Sequence, residues 1–177
     1  MDTNAHFAVA TSLALATVGF FVMEVVTYLV HRFVMHGLLE RLHLSHHRNA
    51  AAEFADKSFE PNDAFPLAFS VLVLAAMWAG FNVPGLSWIV PLSVGITLYG
   101  IVYTVVHDGI IHGRVRWMKR DRSRFAANLA VAHRAHHRTN GEPYGMLFPR
   151  LTMPRTETAR YDPLRSGSRP SHVPADQ

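Results

Sequence analysis

Three long apolar stretches alternate with tight groups of histidine, and that alternation leaves the chain few possible architectures. The first stretch, residues 7–30, holds a single formally charged side chain, Glu24. As a helix rising 1.5 Å per residue it is long enough to cross a bilayer. No Lys or Arg precedes it and it leads straight into His31, so a spanning helix fits better than a cleavable signal. The second stretch, residues 64–81, is short for a span and has Pro66 where a first helical turn tolerates it. Asn82-Val83-Pro84-Gly85 then reads as a turn. The third, residues 86–106, is long enough to return, and Pro91, Gly95 and Gly100 predict a helix that bends or packs closely on a neighbour. The expected fold is all-α: an integral membrane helical bundle of about three transmembrane helices with a histidine-rich cap.

Composition agrees with a membrane setting. Hydrophobic residues make up 49% of the 177-residue chain and charged residues 17%, below the roughly 25% of soluble domains. The absence of cysteine removes disulfides, thiolate ligation of iron–sulfur clusters and cysteine nucleophiles together. A net charge of +4 raises the question of nucleic acid, but the basic residues sit in the wrong place for it. Arg114, Arg116, Lys119, Arg120, Arg122 and Arg124 follow directly on an apolar run, where a positive-inside signal belongs. Three crossings put residues 31–63 and everything after His107 on one side, which this segment marks as cytoplasmic. The expected location is the inner (cytoplasmic) membrane. Residues 1–148 read as the membrane-embedded domain, and residues 149–177, rich in Pro and Arg, as a flexible cytoplasmic tail.

Ten of the twelve histidines fall in four groups: His31/His36, His43/His46/His47, His107/His112 and His133/His136/His137. His6 and His172 lie outside them. Each triplet has the spacing that shares one helical face, so its lead residue and two followers are expected to converge on one centre. His36, Glu40, His43 and His47 also form a stripe that predicts a continuous helix through the first groups. The pairs are five apart, about 140° around an ideal helix, so their convergence needs a helix end, a bend or two separate metals. Gly37 and Gly113 follow the pairs and can permit such a departure. A pair followed by His-x2-His-His-Arg occurs twice, at 31–48 and at 107–138.

Neutral imidazole is a ligand for iron, copper, nickel or zinc. Zinc has no redox change and usually needs three or four protein ligands. Ten nitrogens suit two irons, four or five apiece, with positions left for oxygen species. Electrons must then come from outside, because the chain has no dinucleotide-binding glycine motif. A metal transporter is an alternative, but its ligands belong near mid-membrane rather than at one end of the spans. Glu24, seven residues before His31 and about 10 Å away along a helix, has two open readings: support of the metal site, or a packing role.

These motifs carry a specific resemblance. HRFVMHG at 31–37, HLSHHR at 43–48, FEPND at 59–63, HDGIIHGR at 107–114 and AHRAHHRTNGEPYG at 132–145 closely resemble the bacterial and plant beta-carotene hydroxylases. Those enzymes belong to the non-haem fatty acid hydroxylase/sterol desaturase superfamily. The resemblance implies two irons held by His31, His36, His43, His46, His47, His107, His112, His133, His136 and His137. It implies transfer of one oxygen atom from O2 to carbon 3 of a beta-ionone ring, taking beta-carotene through beta-cryptoxanthin to zeaxanthin. Ketolated rings toward astaxanthin are alternative substrates, with a carotenoid ketolase as a neighbour. Electrons would come from reduced ferredoxin and its reductase. Fatty-acyl and sterol hydroxylases or desaturases share the metal logic and are the nearest rival reading.

Around the site, Glu60, Asn62, Asp63 and Asp108 are candidates for contacts that orient the imidazoles. Arg114 and Arg138 are candidates for lipid phosphate, for supporting carboxylates or for an acidic ferredoxin surface. Tyr99, Tyr103 and His107 share a stripe, and with Phe69, Met77 and Trp88 they are candidate substrate contacts or core residues.

Overall fold

A computed structural model describes residues 3–50, 59–114 and 124–149, and every regular element among them is helical. Helix α1 (Thr3–Leu29) continues as a π-helical segment, Val30–Leu38, and after a turn at Leu39 the chain enters α2 (Glu40–Ala50). A 3-10 turn at Pro61–Asp63 starts α3 (Ala64–Asn82). Helix α4 (Ile89–Thr104) runs into a second π-helical segment, Val105–Ile111, and α5 (Arg124–Thr139) completes the set. Most of the basic segment, residues 115–123, and the tail from residue 150 lie outside the described residues.

Among the described residues, three helical stretches are long and apolar enough to cross a membrane: Asn4–Leu38, Pro61–Asn82 and Ile89–Ile111. The 3-10 turn extends the second stretch to 22 residues, which removes the shortfall expected from its apolar run alone. The 35 residues of the first stretch amount to about 50 Å of helix, against roughly 30 Å of hydrocarbon. The surplus carries its histidine pair toward a membrane face. Phe7, Leu72 and Trp78 are 77%, 66% and 65% exposed, as expected when lipid rather than protein covers the apolar faces.

Helix α4 contacts both α1 and α3. The α1–α4 crossing is close because small residues face each other. A Cβ on Gly95 would overlap the backbone carbonyl of Ala16, and one on Gly19 would come within 2.5 Å of the Leu92 carbonyl oxygen. Such glycine contacts let helix backbones approach in lipid, where water gives no hydrophobic drive for association. Gly100 meets nothing within 4 Å, so only Gly95 meets the expectation of close packing. The turn expected at Asn82–Gly85 forms one residue later, at Val83–Leu86, with Asn82 still in α3: Gly85 has φ +81° after Pro84, and the Leu86 N–H donates to the Val83 carbonyl.

The core lies at one end of this row. Met23 from α1, Tyr99 and Val106 from α4 and its extension, Leu129 from α5, and Met146 and Leu147 pack together. On α5, Ala126, Leu129, Ala132 and Ala135 are buried together with His133 and His136. This places α5 with its imidazole-bearing face inward.

Replacing Gly95 with alanine should force α1 from α4 and cost on the order of 3 kcal/mol, the upper end for overpacking. Gly100→Ala should be neutral. Thermal unfolding of the two detergent-solubilised variants checks this contrast.

Candidate metal centre

The i, i+5 spacing of both histidine pairs is explained by the backbone. In a π-helix the N–H of residue i bonds to the carbonyl of i−5, and such segments are rare and frequently occur at functional sites. Leu39 N–H donates to Val34 and His112 N–H to His107, at 2.8 and 2.9 Å. The rings of His31 and His36 come to 5.0 Å between centroids, and those of His107 and His112 to 4.5 Å. Five-residue spacing was the sequence signal for these segments. Gly113 has φ +60°, as its expected departure requires, whereas Gly37 does not need glycine's conformational freedom.

Nine of the ten grouped histidines form two adjacent sets with mutually close ligand nitrogens. The first contains His31, His36, His43, His47 and His136; the second contains His46, His112, His133 and His137. His107 flanks the second, with its ring 4.8, 4.5 and 4.8 Å from those of His46, His112 and His133. The two sets meet where the rings of His47 and His137 lie 4.3 Å apart.

This arrangement corrects the expectation that each triplet converges on one centre. In each triplet the first and last members stay with their own half of the chain, while the middle one crosses to the other set. His46 joins the later histidines and His136 joins the earlier ones. Residues i+3 and i+4 are 100° apart around an α-helix, so neighbours such as His46 and His47 point into different pockets. The two chain segments are thereby interlocked. The expected continuous helix through the His36–His47 stripe is also corrected. The chain breaks at Leu39 (φ −119°, ψ 29°), and Glu40 is exposed, away from the imidazoles.

Hydrogen bonds fix the tautomers. His31 Nδ1–H donates to the Tyr144 carbonyl at 2.9 Å, His43 Nδ1–H to Asn62 Oδ1 at 2.7 Å, and His136 Nδ1–H to the Gly141 carbonyl at 2.6 Å. Each ring then presents a bare Nε2 lone pair. Yet the Nε2 atoms of His31 and His43 face each other at 3.1 Å, with no proton to share. In the second set His133 Nε2 lies 3.0 Å from His112 Nε2 and 2.8 Å from His137 Nε2, while buried His46 Nε2 has no hydrogen-bond partner. Inward lone pairs in a buried pocket repel unless a cation lies among them, so the donor sets fit metal ions. Nitrogens 2.8–3.1 Å apart are close enough for one ion to be bound by several of them, since metal–nitrogen bonds are about 2.0–2.1 Å.

Burial, reinforced by repulsion among the imidazoles, keeps these rings neutral. It holds His43, His47 and His136 down to about 4, and His112 and His137 to about 2. The hydrogen bonds of His43 to Asn62 and of His136 to Gly141 partly oppose the effect. His46 and His133 are also lowered, chiefly by burial. Neutral imidazole is the form that binds metal.

The four acidic and amide candidates take different parts. Asn62 orients His43, and Asp108 Oδ1 accepts the His107 Nδ1–H at 2.7 Å. Glu60 lies 3.6 Å from His46 Nδ1. Asp63 makes its contacts one step further out, accepting from the Glu60 N–H and pairing with Arg114, which also donates to Glu60. Of the roles open to Arg114, supporting carboxylates is therefore the one the structure shows. Tyr103 stacks on His107 at 5.0 Å, Tyr99 is buried, Phe69 packs on the core and Trp88 is half exposed. His6 is exposed, and His172 lies outside the described residues. Sequence reasoning could not find the Tyr144 and Gly141 carbonyls, because backbone acceptors leave no mark on residue type.

Two predictions follow from the crossing-over and from the lowered pKa values. His46→Ala and His136→Ala should each reduce bound metal from about two ions per chain toward one, whereas His6→Ala should not; elemental analysis of purified protein reads this. The metal-free protein should lose stability as pH falls from about 6.5 to about 4. In that window unfolded histidines bind protons that folded His43, His47 and His136 refuse. Unfolding midpoints across that range check the sign.

Comparison with known proteins gives the same outline. A 35% identity over 167 residues relates the chain to a beta-carotene hydroxylase of Paracoccus sp. (strain N81106 / MBIC 01143), covering 93% of each. A beta-carotene hydroxylase of Pantoea ananas is 35% identical over 71% of this chain and 70% of its own length. The chloroplastic beta-carotene 3-hydroxylase 2 of Arabidopsis thaliana is 32% identical over 67% of this chain and 39% of its own. No solved structure matches. The sequence profile described as Fatty acid hydroxylase matches residues 16–151. With its paired histidine sets and three apolar helices, the chain belongs to the fatty acid hydroxylase family.

Proposed function

We propose that the protein is a carotenoid beta-ring 3-hydroxylase. It converts beta-carotene through beta-cryptoxanthin to zeaxanthin, and accepts ketolated rings where a ketolase supplies them. The observation that carries this reading is the pair of interleaved imidazole sets at one end of three apolar helices. The names of the relatives supply the substrate class.

In this reading one iron is held by His31, His36, His43, His47 and His136, the other by His46, His112, His133 and His137 with His107 beside them. The iron pair supplies the activation of O2 and the transfer of one oxygen atom to an unactivated ring carbon. The chain's residues hold and orient. Asn62, Asp108 and the Tyr144 and Gly141 carbonyls keep the Nδ1 protons pointed outward, so the opposite nitrogens face the pocket. Arg114 ties Glu60 and Asp63 into the turn that presents Asn62. A carotenoid is too apolar to arrive through water, and the lipid-exposed helices let one ring reach the histidine end sideways. Tyr103, stacked on His107 at the edge of α4, marks where that ring would approach.

The rest of the proposal concerns setting and partners. The histidine end is assigned to the cytoplasmic face of the inner membrane because the basic segment 114–124 follows the third span. Electrons come from reduced ferredoxin, whose acidic surface suits a basic face, and a reductase keeps the ferredoxin reduced. Residues 1–148 form the hydroxylase domain in the lipid and 149–177 a peripheral tail; nucleic acid plays no part.

Expression of the full chain in cells that accumulate beta-carotene, with and without a ketolase, tests the assignment. Carotenoids hydroxylated at carbon 3 should appear, and His43→Ala should abolish them. Unaltered carotenoids beside a folded, iron-loaded protein would overturn it.

A further inference from the structure

Glu24 lies in the middle of an apolar helix, where a carboxyl group is costly unless the protein satisfies it. Its two oxygens accept hydrogen bonds from both directions. Oε1 receives the backbone N–H groups of Met146, Leu147 and Phe148 at 2.9, 3.0 and 3.0 Å. Oε2 receives the Tyr99 hydroxyl at 2.6 Å and shares the Leu147 N–H at 3.1 Å. One side chain thus fastens the chain beyond α5 to both α1 and α4.

What is fastened matters for the metal centre. After α5 the chain turns at Asn140, in the left-handed region at φ 54°, whose N–H caps the helix through the His136 carbonyl. Residues 141–148 then run back along α1 as a strap. Its Gly141 carbonyl takes the Nδ1 proton of His136, and its Tyr144 carbonyl takes that of His31. The Tyr144 ring packs on His31, His36 and His136 at 5.5, 5.2 and 5.3 Å. All three histidines belong to the first set. The carboxylates against the second-set group, Asp108 on His107 and Glu60 near His46, come from elsewhere in the chain.

We propose that Glu24 is a positioning residue for the first imidazole set alone, acting through the 141–148 strap. The inference rests on the reading that both sets hold iron. It deepens that reading by making the two positions unequal: one is oriented by a strap pinned from mid-span, the other by carboxylates beside it. Arg32 adds a weaker, exposed fastening, donating to Glu142 at 3.0 Å.

The test is anaerobic titration of the full-length, detergent-solubilised chain with ferrous iron. The wild type should bind two ions. Glu24→Gln keeps one carbonyl oxygen for the strap and should weaken one ion about 10-fold, the low end for loss of an orienting contact, leaving the other unchanged. Glu24→Leu should lose that ion. The location is read from combinations. Glu24→Leu should remove the last ion from His133→Ala, which lacks the second set, and change nothing in His43→Ala, which lacks the first. A merely structural Glu24 would weaken both ions together or unfold the chain, and that result in the Gln variant overturns the proposal. Two ions bound by Glu24→Gln and Glu24→Leu with wild-type affinity also overturn it. A wild type that binds no iron would instead fail the metal reading itself.

Discussion

The structure is organised around nitrogen lone pairs that have nowhere else to point. Once carbonyls, Asn62 and Asp108 take the Nδ1 protons of His31, His43, His107 and His136, the far side of each ring can only accept. Packing several such acceptors within a few ångströms of one another in a poorly hydrated pocket is unfavourable without positive charge among them. For His43 and His136, burial prevents protons from supplying that charge near neutral pH. A metal ion would supply it, and the helices bring the donor nitrogens into two compact sets that could hold one each.

That constraint explains features that otherwise look unrelated. The two π-helical segments bring residues five apart onto one face. The close contact of Gly95 with Ala16 sets the separation of α1 and α4, from whose ends those segments project. The exchange of His46 and His136 makes each set depend on both halves of the chain, so neither half can complete a centre alone. Interlocking of this kind links metal binding to the folding of the whole histidine end.

Much of this was legible in the sequence. Apolar runs interrupted by one acidic residue located the three spans, since lipid demands long unbroken apolar helices. The repeated pair and triplet located the ligands, and FEPND located Asn62 beside them. Distribution between the sets was not legible, because shared helical faces say which side chains are neighbours and not which pocket each enters. The i+5 spacing pointed to a departure from α geometry without saying whether a bend, a helix end or a π segment produced it. Glu24 was visible as an anomaly, but three of its partners are backbone N–H groups more than 120 residues away, which no residue pattern encodes.

The central claim is that two metal ions sit side by side, each held by imidazoles from both halves of the chain. Anomalous diffraction at the iron edge, from crystals of the iron-loaded protein, addresses it most directly. The account predicts two peaks per chain, one bounded by His31, His43, His47 and His136, the other by His46, His112, His133 and His137. A single peak, or two peaks each surrounded by one unbroken triplet, would contradict it.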